Sequence, residues 1–134
     1  NLMNNFELEI VTPLGVINHG SINYMRCPGL DGLFGVMANH QEGMFAVDIG
    51  EVKISSEKPT EYLATGGGFA EIINGKVKLL VESIEPSSEI NLDRAKKSLE
   101  RAHERKENRN QNFDMARIDS SILRAINRLK ISKR

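Results

Sequence analysis

The sequence predicts an α+β fold, an N-terminal antiparallel β-sandwich over residues 1–86 followed by a C-terminal antiparallel two-helix hairpin over residues 87–134. Three observations carry this prediction. The first 86 residues are short alternating runs cut by turn residues, the mark of an all-β unit. After Pro86 the apolar period lengthens to that of a helix. The charge also changes sign: residues 1–86 hold 5 Lys and Arg against 11 Asp and Glu, and residues 87–134 hold 13 against 7. A chain whose net charge is zero is therefore an acidic piece joined to a basic one, which implies different partners for each.

The strands follow in order. Phe6-Glu7-Leu8-Glu9-Ile10-Val11 alternates apolar and charged residues, as a half-buried strand does. Thr12-Pro13-Leu14-Gly15 turns the chain. Val16-Ile17 and Ile22 to Met25 offer two short strands. Cys27-Pro28-Gly29-Leu30-Asp31-Gly32 reads as an exposed turn. Leu33 to Met37 and Met44 to Val47 are apolar runs, and Gly50 to Ile54 alternates again. Lys58-Pro59-Thr60 is a hairpin tip before Glu61 to Thr65. Phe69 to Ile73 and Lys76 to Val81 flank Asn74-Gly75, a strong signal for a type I′ hairpin because both central residues need positive φ.

The helices carry their own punctuation. Asn91 is placed to cap the first, with Asp93 near the positive end of its dipole and Ile90 and Ala95 as a hydrophobic staple. Leu92, Ala95, Leu99 and Ala102 form a narrow apolar stripe. The stretch 108–112 breaks the pattern. Asp114 can cap a second helix, with Phe113 and Ile118 as staple and Met115, Ile118, Ile122, Ala125 and Leu129 as stripe. Two such stripes joined by a polar loop pair as a hairpin that buries little surface alone and depends on the sandwich, a partner or a ligand.

Chemistry-bearing residues are sparse. Cys27 is the single cysteine, which excludes an internal disulfide, fits a reducing compartment and has no evident base beside it. His19, His40 and His103 are scattered, and no spacing suits a metal. Gly66-Gly67-Gly68 lacks the Lys-Ser/Thr of a phosphate loop and precedes a strand, so a tight turn or bulge is expected. Arg94, Arg101 and Arg105 recur at intervals of 7 and 4, as do Arg117, Arg124 and Arg128. Each set is either a solvated face or a surface for an anion or acidic partner. Nucleic acid is disfavoured, because Glu100, Glu104 and Glu107 interleave the first set without stacking aromatics. Nothing composes a catalytic set, there is no membrane-spanning run, and the start, Asn1-Leu2-Met3-Asn4-Asn5, lacks signal-peptide character, with Met3 as a candidate natural start.

The ordered segments Leu8 to Pro13, Gly32-Leu33-Phe34-Gly35-Val36-Met37-Ala38-Asn39-His40, Ala46 to Gly50, Gly67 to Ile72 and Ile90 to Ala95 resemble the epsilon subunits of bacterial and chloroplast F-type ATP synthases. The mitochondrial counterpart is called delta, and the resemblance covers nearly the whole chain. It implies a non-catalytic central-stalk subunit that couples proton-driven rotation to ATP synthesis. Its sandwich would dock on the gamma subunit and the c-ring, and its extended hairpin would reach the alpha and beta subunits and inhibit ATP hydrolysis. The complex would sit peripherally on the cytoplasmic face of the bacterial inner membrane, with no direct insertion of this chain. By position, Gly29, Leu30, Asp31 and Gly32 match the loop facing the c-ring, and His40 matches the gamma-facing side. Leu33 departs from the acidic residue often found there. No cofactor is required. ATP is a candidate regulatory ligand, because Ile90-Asn91-x-x-Arg94-Ala95 resembles the Ile/Leu-Asp-x-x-Arg-Ala motif of members that bind it. Glu85, Arg101, Arg124 and Arg128 match further nucleotide-contacting positions. Asn91 keeps the capping role of the Asp it replaces but not its charge. The competing expectation is a free-standing β-sandwich binding module with a basic interaction tail.

Overall fold

The structure, a computed structural model, describes residues 4–108 and 115–134. The start at Met3, the break from Arg109 to Asn112, and the Phe113 and Asp114 staple and cap lie outside the described residues.

Ten strands build two five-stranded sheets. They are β1 (Phe6–Thr12), β2 (Gly15–Ile22), β3 (Tyr24–Gly29), β4 (Gly32–Val36), β5 (Gly43–Val47), β6 (Gly50–Ser55), β7 (Glu61–Thr65), β8 (Gly68–Ile73), β9 (Lys76–Val81) and β10 (Ile84–Pro86). The first sheet runs β2-β1-β9-β8-β5 and the second β10-β7-β6-β3-β4. All pairs are antiparallel except β1 with β9, which run parallel because the chain crosses between the sheets before returning beside its first strand. The alternation in Phe6 to Ile10 works as expected: Phe6, Leu8 and Ile10 are buried, and Glu7 points to solvent. Asn74 and Gly75 take φ of 52° and 72° in the β8–β9 hairpin.

The glycine run has a steric reason. A Cβ on Gly68 would sit 2.0 Å from the Leu80 carbonyl oxygen, so only glycine lets β8 enter beside β9 here.

Two details differ from the sequence reading. Cys27 and Pro28 do not lie in an exposed turn; they are buried in β3, and only Leu30 and Asp31 form the turn. Pro28 lies beyond the β3–β6 pairing, which ends at Arg26, and its carbonyl accepts from Asp48 N at 2.8 Å. The two short strands expected around residues 16–25 are one long β2 and the start of β3, separated only at Asn23.

A 3-10 turn (Ser87–Glu89) leads to α1 (Leu92–Glu107) and α2 (Met115–Ile131). Ala95 and Ala102 on α1 and Ile118, Ile122 and Ala125 on α2 are buried. Lys106 and Asp119 pair across the hairpin at 3.1 Å. Of the two helices, α2 is the one that packs on the sandwich, against β6 and β7 of the second sheet, among the described residues. Among the described residues, no helix is long and apolar enough to cross a membrane.

Candidate docking faces and anion cleft

The helix that reaches the sandwich carries two stripes. One, Ile118 and Ile122, packs against Leu99 and Ala102 of α1. The other runs Arg124, Asn127, Arg128, Ile131 and meets the second sheet. Its members are mostly polar, so a search for apolar periodicity misses it. Ile131 is 1% exposed beneath the last turn. Asn127 Nδ2 donates to the Gly50 carbonyl at 2.7 Å. Arg128 Nε and Nη2 donate to the two Glu85 oxygens at 2.8 and 3.3 Å, a forked ion pair between α2 and β10. Arg134 donates from Nε and Nη2 to Glu51 at 3.0 and 2.9 Å and lies 4.3 Å over the Tyr62 ring. The hydrogen bond and charge of Glu51 raise the Arg134 guanidinium above its ordinary pKa.

Between α2 and the end of β7 lies a cleft of about 460 Å³ lined by Thr65, Glu85, Glu89, Arg124 and Arg128. It brings together Glu85, Arg124 and Arg128 of the expected nucleotide contacts. Ile90, Asn91, Arg94, Ala95 and Arg101 do not line it. Asn91 caps α1 as expected, its Oδ1 accepting from Arg94 N at 3.1 Å. Ala95 is buried, and Arg101 donates to Ser98 Oγ at 3.3 Å. Arg128 is engaged with Glu85, whereas Arg124 has no partner among the described residues and is available to an anion. Glu89 and Thr65 were not foreseen, since no motif marks them.

The other expected contacts occupy opposite ends of the sandwich. Gly29 and Gly32 close the β3–β4 turn, where Leu30 is 73% exposed. A Cβ on Gly29 would approach Gly32 O to 2.7 Å, and Gly32 takes φ of 122°, so both positions require glycine. Asp31 is exposed at the tip. His40 lies at the other end, beside the Asn74–Gly75 turn, with Nδ1 2.9 Å from Gln41 O and its ring edge-on to Phe45 at 5.2 Å.

The outer face of the first sheet carries a further feature. Register pairs align Val16, Val11, Leu80, Phe69 and Ala46 in one row across all five strands. Val16 is 63% and Phe69 50% exposed. The next row, Asn18, Glu9, Lys78, Glu71 and Met44, alternates in charge across its three central strands. This band makes the outer face of the first sheet a candidate interaction surface. Strand alternation alone shows such residues as outward-facing; their alignment needs the register.

Reactive chemistry is not assembled. Burial pushes the Cys27 thiol up to about 12, which leaves it protonated and inert. Among the described residues, no group of three His, Cys, Asp or Glu is placed to hold a metal ion.

Comparison with known proteins accords with this architecture. The family described as ATP synthase, Delta/Epsilon chain, beta-sandwich domain matches residues 5–87, and its long alpha-helix domain matches residues 88–133. An ATP synthase epsilon chain of Staphylococcus aureus is 36% identical over 132 residues, covering 98% of each chain. One from Nitratidesulfovibrio vulgaris is 34% identical over 93% of each. A chain in the Euglena gracilis mitochondrial ATP synthase has the same fold, with a TM-score of 0.73 and 20% identity over 96% of this chain and 81% of that one. A chain of the Tetrahymena thermophila central stalk and c-ring assembly superposes with a TM-score of 0.67, at 12% identity over 94% and 95%. Matched over nearly its whole length in both parts, the chain belongs to the ATP synthase delta/epsilon family.

Proposed function

We propose that this chain is a non-catalytic central-stalk subunit whose sandwich docks on the rotor and whose hairpin regulates ATP hydrolysis. The observation that carries this reading is the division of the sandwich's outer faces. One sheet is crossed by α2 at β6 and β7, and the other presents the Val16–Val11–Leu80–Phe69–Ala46 band. The band suits the gamma subunit, and the Leu30–Asp31 turn suits the polar loops of the c-ring. The setting is the cytoplasmic face of a bacterial inner membrane.

The hairpin is docked here through a few polar contacts and Ile131. Contacts this few can exchange for others, and the excess of cations from residue 87 onward favours the acidic surfaces of alpha and beta subunits when it extends. ATP in the Glu85–Arg124–Arg128 cleft would compete with Glu85 for Arg128 and hold the docked form. Closing Ile90, Asn91, Arg94, Ala95 and Arg101 onto the nucleotide would require α1 to shift.

Two measurements test the proposal. Phe69→Asp should abolish co-purification with gamma while leaving the circular dichroism spectrum intact; undiminished co-purification rejects the docking face. Removing residues 87–134 from the reassembled enzyme should raise ATP hydrolysis, and unchanged hydrolysis rejects the regulatory role. Calorimetry on the isolated chain tests nucleotide binding, with Arg124→Gln expected to weaken it about tenfold or more.

A further inference from the structure

A second cleft, of about 740 Å³, lies where the last turn of α2 crosses the second sheet. Four cationic side chains line it, Arg26, Lys130, Lys133 and Arg134, against the single carboxylate of Glu51. Glu51 is already shared: Arg26 Nη2 reaches it at 3.1 Å and Arg134 Nη2 at 2.9 Å. One negative charge therefore answers two guanidiniums. Lys130 and Lys133 have no acidic partner among the described residues, which leaves an excess of three positive charges in one concavity. Arg26 Nε is buried with no acceptor, an unfavourable state for an N–H donor. Leu33 and the half-buried Ile49 form the apolar side of the cleft.

We propose that this cleft is an anion site for a phosphate-bearing ligand, distinct from the Glu85–Arg124–Arg128 cleft. Guanidinium forks paired with mobile ammonium groups match a tetrahedral oxyanion, which offers several acceptors at once. The site draws Arg26 and Glu51 from the sandwich, Lys130 from α2 and Lys133 and Arg134 from the residues that follow it, so it exists only while the hairpin is docked. A ligand bound there stabilises the docked hairpin by mass action. At a free concentration a hundred times Kd, the ratio of docked to released hairpin rises about a hundredfold. The chemistry is shared by a soluble phosphate and by a phospholipid headgroup.

The test uses the full chain at low ionic strength. Inorganic pyrophosphate is titrated by calorimetry, and phosphatidylglycerol vesicles are tested by co-sedimentation against phosphatidylcholine vesicles. Binding in the first arm identifies a soluble ligand, and binding only in the second a lipid headgroup. Either should weaken at least about tenfold in the Lys130→Gln/Lys133→Gln variant, whose side chains support no contact in the fold. The Lys96→Gln/Lys97→Gln variant carries the same net charge change on α1 and should retain affinity. Absence of binding in both arms overturns the proposal. So does an equal loss in the two double variants, which would reduce it to net charge. Loss of binding in Arg124→Gln also overturns it, because the anion would then belong to the other cleft. Failure here leaves the nucleotide and docking tests untouched.

Discussion

The sandwich and the hairpin are stabilised in opposite ways. Sixteen buried side chains from strands throughout the sandwich form one continuous core, with Leu8, Met25, Val36, Val52 and Leu79 wholly inside. The two sheets are also tied at one end by His19 Nε2 and Glu61 Oε2 at 2.6 Å. The hairpin's own core is Ala102, Ile118 and Ile122 with Leu99 packed against them. Small residues let α1 and α2 approach closely but remove little apolar area from water. The sandwich therefore keeps its structure unaided, whereas the hairpin depends on where it docks. The regulatory role proposed above needs this property, because a helix pair with a large private core or interface could not exchange partners.

The largest expected effect separates the two cores. Leu79→Ala should cost about 2–5 kcal/mol of sandwich stability, as a wholly buried leucine lost from a packed core does. Ile122→Ala should melt the hairpin and leave the sandwich nearly untouched. The sequence provides separate probes. Tyr24 and Tyr62 both lie on sandwich strands, but Arg134 lies over the Tyr62 ring, so fluorescence is read in a Tyr62→Phe background, where Tyr24 follows the sandwich, and ellipticity at 222 nm is weighted to the helices. Urea unfolding of both variants with both probes should give non-coincident transitions. Coincident transitions shifted equally by either substitution would mean that the chain is one cooperative unit.

Alkaline pH should weaken the sandwich through Cys27. Burial raises the Cys27 thiol from an ordinary 9.0 to about 12 in the folded chain. The unfolded chain then releases this proton first. Between pH 9 and 12 it binds fewer protons than the folded one, so stability is full below pH 9 and falls as pH rises through the window. At about 1.4 kcal/mol per pH unit the limiting loss is about 4 kcal/mol. Cys27→Ala lacks the group, and its stability should decline less steeply over the same range. Every other contribution is common to both chains and cancels in the difference. Parallel declines would show that the thiol is not shielded.

Local signals were legible where the physics is local. Asn74-Gly75 needs only its own backbone preference to announce a hairpin, and Phe6 to Ile10 announces its buried side by alternation. Asn91 announces a cap because its acceptor lies three residues away. Cys27-Pro28 was misread for the same reason: proline beside glycine is a local turn signal, and the burial that overrides it comes from other strands. The parallel pairing of β1 with β9 depends on strands nearly seventy residues apart. Arg128 meets Glu85 across a separation of 43 residues. The cleft between them, and the union of Arg26 with the end of α2, arise only when the helix lands on the sheet. Of the expected nucleotide contacts, the three that meet do so through that landing, while Asn91 and Arg94 are engaged in starting their own helix.

The smallest expected effect isolates that helix start. Asn91 Oδ1 accepts from Arg94 N at 3.1 Å and satisfies one of the four N–H groups that a helix leaves open. Asn91→Ala should cost about 1 kcal/mol, and ellipticity at 222 nm should fall while tyrosine fluorescence still reports an intact sandwich. Asn91→Asp should keep the cap and gain a few tenths of a kcal/mol from the helix dipole, a gain that salt reduces. The pair of variants separates two roles for one position. If Asn91 serves only α1, Asp restores or exceeds helicity and ATP affinity does not change. If the charge also reaches the nucleotide, Asp alters ATP binding by a margin that its small effect on the helix cannot explain. Helicity unchanged by Asn91→Ala would show that α1 is held by α2 rather than by its cap, and that the hairpin is more cooperative than its small core suggests.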